Sequence, residues 1–133
     1  MLHLGETYLL ADRLEDARAC AERALSLSRT AGERSIETRA LRLLGEIDAG
    51  GPSPDADQSE RHFGEALARS EALGVRPNVA RCHLGLGALY ARTGRRKESE
   101  GHLATALAMF REMEMPYWIE KAASALKELG KTR

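Results

Sequence analysis

At 133 residues the chain is long enough to bury one core without disulfides or a structural metal, so it is read as a single domain spanning 1–133. Hydrophobic residues make up 43% of it and aromatic residues only 5%, a balance that suits amphipathic helices and disfavours a β-sandwich. Twenty basic and twenty acidic side chains cancel, which argues against the positive field that nucleic-acid binding draws on, and no apolar run approaches the ~20 residues of a membrane span.

Taken in chain order, the first predicted helix covers about 1–12 and the second about 14–31, where Leu14, Ala17, Ala21, Ala24, Leu25 and Leu27 follow helical spacing up to Gly32. A third, about 34–49, carries Ile36, Ala40, Leu43, Leu44 and Ile47 on one face. Gly50-Gly51-Pro52-Ser53-Pro54-Asp55 then bars helix with two glycines and two prolines, and is the one flexible stretch the sequence predicts. Helices follow at about 56–74, stopped by Gly74, and at about 77–93, opened by Pro77 and closed by Thr93-Gly94. The sixth spans about 96–114. The last runs from Pro116 to about 129 with Trp118, Ile119, Ala122, Leu126 and Leu129 on an apolar stripe beside Glu120, Lys121, Lys127 and Glu128. Such a mixed stripe suits a capping helix, which covers a preceding unit and faces water outside.

These helices fall into pairs that repeat. Leu4-Gly5, Leu44-Gly45 and Leu86-Gly87 place glycines 40 and then 42 residues apart. A second ladder, Ala17-Ala21-Ala24, Ser59-Phe63-Ala66 and Ser99-Leu103-Ala106, steps by 42 and then 40. The shift between the two ladders places the two extra residues in the 50–55 loop. Glycine on one helix lets its partner approach closely, and Ala17, Ala24, Ala66 and Ala106 do the same from the other side. Small residues at fixed spacing are therefore read as contact points.

The motifs resemble the tetratricopeptide pattern W-x2-L-G-x2-Y…A-x3-F. Met1-x2-Leu4-Gly5-x2-Tyr8 and His83-x2-Leu86-Gly87-x2-Tyr90 keep most of its first half, whereas Leu41-x2-Leu44-Gly45-x2-Asp48 loses the tyrosine. The large first residue is replaced in every repeat and the family's proline is absent. The resemblance implies an all-α, right-handed α-solenoid of three helix pairs plus a C-terminal capping helix. Its repeats are about 1–32, 33–75 and 76–115, with the cap at about 116–130. It also implies a protein-interaction role and a binding surface on the concave face, lined mainly by the first helix of each pair. Carried over position by position, that face holds Leu2 and Glu6, then Arg39, Arg42 and Glu46, then Arg81, Leu84, Ala88 and Arg92. Four arginines in a groove suit an acidic or C-terminal peptide, because guanidinium forks carboxylates; the competing reading is that they pair with Glu46 and neighbouring acids.

No catalytic, cofactor or metal motif stands out. His3, His62, His83, His102, Cys20 and Cys82 form no HxxxH or CxxC pair, and Cys82-His83 point about 100° apart on a helix, which suits core packing beside a surface imidazole. Both cysteines read as small buried apolar residues. Gly85-Leu86-Gly87 lies inside a helical pattern and reads as packing; Glu15-Asp16 and Glu98 with Glu100 read as solvated faces. An enzyme is not expected.

The stretch from Arg81 to Leu129, with His83-Leu84-Gly85-Leu86-Gly87, Tyr90, Arg92-Thr93-Gly94, His102-Leu103, Met109-Phe110-Arg111-Glu112-Met113 and Tyr117-Trp118, resembles the C-terminal end of large bacterial signalling proteins. In those, a class III cyclase or DNA-binding domain and an ATPase module precede such repeats. The resemblance implies a regulatory arm and transfers no catalysis. With no leader at Met1-Leu2-His3-Leu4-Gly5-Glu6, a cytoplasmic location is expected. Nothing in the pattern caps the first pair, so either a longer protein or a second copy meeting Leu2, Leu9 and Leu10 is expected to cover it.

Overall fold

The computed structural model describes residues 2–10 and 13–131. Met1, Ala11, Asp12 and the side chain of Leu10, which the sequence assigns to the first helix and its contact face, lie outside the described residues. Within them the fold is all-helical: α1 (Leu2–Leu10), α2 (Leu14–Ala31), α3 (Arg34–Ala49), α4 (Ala56–Leu73), α5 (Arg76–Arg92), α6 (Arg96–Glu112) and α7 (Pro116–Lys131). Each helix packs on the next in sequence, and beyond that, among the described residues, backbones come close only between α1 and α3, α3 and α5, and α5 and α7. That is the signature of a tetratricopeptide-like α-solenoid, in which hairpins stack in a line and alternate helices share a face.

The turns show why the hairpins repeat. The N–H groups of Arg13, Asp55 and Arg95 each return to a carbonyl at the end of the preceding helix, those of Tyr8, Asp48 and Tyr90, at 2.8, 2.8 and 2.9 Å. The two extra residues between Asp48 and Asp55 are thus looped out without changing the closing bond. Asp55 also accepts a hydrogen bond from the Gln58 N–H at 3.0 Å, capping α4.

Helices α2 and α4 end on left-handed glycines, Gly32 and Gly74, both at φ 72°. The N–H groups of the next residues, Glu33 and Val75, bond the carbonyls of Ser28 and Ser70. The third hairpin makes the same closure from Met115 to Phe110, but Glu114 occupies the left-handed position, at φ 53°.

Between paired helices the glycine ladder is a ladder of close approach. A Cβ on Gly45 would sit 2.9 Å from the Phe63 ring, and one on Gly87 would sit 2.6 Å from Leu103. The facing Ser59 and Ser99 do more than stay small. Their hydroxyls donate to the Gly45 and Gly87 carbonyls at 2.7 Å, so both polar positions are satisfied in the core. Phe63, Leu103 and Phe110 are fully buried, and each such side chain stabilises by about 1.5–3 kcal/mol.

Helix α7 continues the register as the first helix of a further unit. Ala122 takes the place of Cys82, both fully buried, and Leu129 takes that of Leu89. At the glycine position, however, stands Lys127, exposed to solvent. The close approach that Gly87 gives α6 therefore has no counterpart on α7.

Candidate peptide-binding groove

First helices α3, α5 and α7 line one side of the stack, and between them lies an open groove of about 620 Å³. Its lining is dominated by small and apolar side chains: Ala49 at the end of α3, Gly85, Ala88 and Ala91 of α5, and Ala125 and Leu129 of α7, with Phe63 and Leu103 of the second helices as floor. The small residues follow from the same positional logic that builds the core, since Gly85 faces the Phe63 ring, where a Cβ would sit 2.4 Å from it. Charge is confined to Glu46, Arg92 and Glu128. Arg92 donates to the Ala49 carbonyl at 2.9 Å, capping the C-terminus of α3 from across the groove.

Of the residues expected on this face, Glu46, Ala88 and Arg92 line the groove. The others are placed differently. Arg42 is a correction: it is 2% exposed, donating to Asn78 Oδ1 at 2.7 Å and to Glu46 Oε1 at 2.9 Å, and so belongs to the core between hairpins. Leu2 is likewise buried, in the cluster with Ala21, Ala24 and Leu43. Leu84 packs with Phe110 and Trp118.

Glu6 bridges Arg39 at 3.5 Å and Arg81 at 3.9 Å, and Arg81 also faces Glu46 at 3.5 Å. The Arg81 guanidinium lies 4.3 Å from the Trp118 ring centroid, and its Nε is buried without a hydrogen bond. Burial, and then the charge of Arg42, lower the Arg81 pKa from its ordinary value. Arg39, Arg42 and Arg81 therefore face Glu6, Glu46, Asn78 and Trp118.

Two polar clusters escaped the sequence reading. Asp48, 3% exposed at the position where tyrosine is lost, receives Arg18 at 2.7 Å and His62 Nδ1 at 2.6 Å. In the third repeat Tyr90 donates instead to Glu60, under the Arg95 guanidinium at 4.1 Å. Burial, and then that bond, push the Tyr90 phenol up to about 12. Beside it His83 and His102 meet Nδ1 to Nδ1 at 2.9 Å with ring centroids 5.2 Å apart, an arrangement in which one neutral ring donates to the other. Only the spacing of the hairpin, not any local motif, brings 83 and 102 together. Among the described residues no group of three or more potential metal ligands converges. Cys82 is fully buried, which pushes its thiol up to about 12, whereas Cys20 is only half-buried.

A line of stacked helical hairpins with an open groove along its first helices defines a repeat-type helical scaffold. Residues 55–112, from the cap of α4 to the end of α6, match the family model described as Tetratricopeptide repeat. Repeats of that family generally mediate protein–protein interaction. No curated protein matches the chain. Among the described residues no helix is long and apolar enough to cross a membrane.

Proposed function

We propose that the chain is a protein-interaction module that holds a peptide segment in the groove of α3, α5 and α7. The observation that carries this reading is the groove itself, a contiguous apolar surface at which alanine and glycine let a ligand backbone come close. The ligand is an apolar segment. An acidic one, suggested by the arginine row, loses support because Arg42 is buried and Arg39 and Arg81 already face glutamates. Arg92 remains at the rim to meet a single carboxylate. The likeness of residues 81–129 to the repeats of bacterial signalling proteins supports a regulatory role within a larger cytoplasmic protein of that kind.

Selection of displayed random peptides on the wild-type chain tests the site. Winning peptides are expected to bind at least about tenfold more weakly to Ala88→Arg, whose exposed side chain would fill the groove without entering the core. Winners indifferent to Ala88→Arg would overturn the assignment.

A second reading, self-association through the first hairpin, has one observation in its favour. Leu4 is 47% exposed, whereas Leu44 and Leu86 at the same repeat position are 2% and 4% exposed. Sedimentation velocity over a range of concentrations decides it; Leu4→Glu should abolish any dimer, and a concentration-independent monomer removes the reading.

A further inference from the structure

Where one hairpin meets the next, the repeat brings the same three positions together. At the third junction they are Leu84, Phe110 and Trp118; the two rings stack with centroids 5.8 Å apart beneath Arg81. At the second they are Arg42, Ser70 and Asn78. There the Asn78 amide donates to Ser70 Oγ at 2.7 Å and accepts from Arg42 Nε at 2.7 Å. At the first they are Leu2, Ser28 and Ile36, and the equivalent space is a niche of about 360 Å³ that no described side chain fills. Against the third junction the cause is volume, since Ser28 and Ile36 stand where that junction holds two aromatic rings; against the second it is reach, since Leu2 and Ile36 cannot span the space as the hydrogen-bonded guanidinium and amide do.

We propose that this niche receives the indole of a tryptophan from a partner polypeptide. Its floor is Leu2 and Ala24, 7% and 4% exposed, and Leu27 and Ile36 wall it. The chain's own answer to the same geometry, at the third junction, is an indole stacked among apolar side chains. The rim supplies a polar partner: the Glu33 carboxylate accepts the indole N–H, while Arg39 stays on Glu6. Because the niche opens to solvent, the ring enters while still attached to its chain. The niche shares no lining residue with the groove of α3, α5 and α7, so the two sites stand or fall separately.

The test is a titration of the full chain, followed by methyl resonances, with acetyl-Gly-Trp-Gly-amide, acetyl-Gly-Leu-Gly-amide and free indole as probes. The tryptophan peptide is expected to shift the Leu2, Leu27 and Ile36 methyls saturably and to bind more tightly than either other probe. Ser28→Phe, which supplies the third junction's ring, and Leu27→Glu, at a residue 53% exposed and so harmless to the fold, should each weaken it at least about tenfold. Absence of saturable shifts at these methyls, or shifts that persist in Leu27→Glu, would overturn the proposal. Free indole binding more tightly than the peptide would overturn the assignment to a polypeptide partner.

Discussion

Gly87 and Gly101 both lie inside helices, and alanine is expected to act in opposite directions at the two. Helix propensity alone favours alanine by about 1 kcal/mol at either position. At Gly101 nothing lies within 4 Å of the added Cβ, so Gly101→Ala should raise stability by about 0.5–1 kcal/mol. At Gly87 the same atom would meet the Leu103 side chain at 2.6 Å and its backbone nitrogen at 3.3 Å. Overpacking against a helix backbone costs about 1–3 kcal/mol, so Gly87→Ala should lower stability on balance. Urea unfolding midpoints of the two variants check this, and a gain at both would show that the glycine ladder does not mark close helix contact. The Leu-Gly spacing made these contact points legible. The hydroxyl bonds of Ser59 and Ser99 were not, because a serine on a buried face reads simply as a small residue until the opposing carbonyl is in place.

At the scale of paired helices, α5 and α6 meet through His83 and His102, and this makes their contact sensitive to pH. Burial lowers the pKa of both below the ordinary 6.5, and for His83 the neighbouring His102 charge lowers it further. Glu71 and Glu98 pull the other way, on His83 and His102 respectively, without reversing the shift. A base held below its ordinary range binds protons more readily unfolded than folded. Stability from the pair is therefore complete above the ordinary histidine range and drains as pH falls through it. The urea midpoint should drop between pH 7 and pH 5, and His83→Gln with His102→Gln should flatten the drop. An unchanged pH slope in the double variant would refute the account. The sequence placed one of these imidazoles at the surface, since helical phase alone does not report which side chain of the opposing helix it will meet.

For the molecule as a whole, a linear stack predicts graded stability. Of α1, only Leu2 and Gly5 are buried among the side chains described, whereas α3 buries Glu37, Thr38, Ala40 through Gly45, Ile47 and Asp48. Packing that runs chiefly between adjacent hairpins lets an end open without its centre. Amide hydrogen exchange should accordingly be fastest in α1 and slowest in α3 and α5; uniform protection along the chain would mean that the array unfolds as one closed body.

The sequence by itself determined the helices and their order. Their punctuation is local: left-handed glycines at 32 and 74, prolines at 77 and 116, and a 50–55 loop that cannot be helical. From α2 to α7 every span begins and ends within two residues of its predicted bounds. It determined the pairing too, because the glycine and small-residue ladders carry the register. Which polar groups face the groove was decided only by the tertiary structure. Arg42 occupies the same repeat position as Leu2 and Leu84 and lies buried because Asn78 and Glu46 arrive from other turns and other helices to receive it. An arginine's exposure depends on whether acceptors reach it through space, and single-helix periodicity carries no information about that.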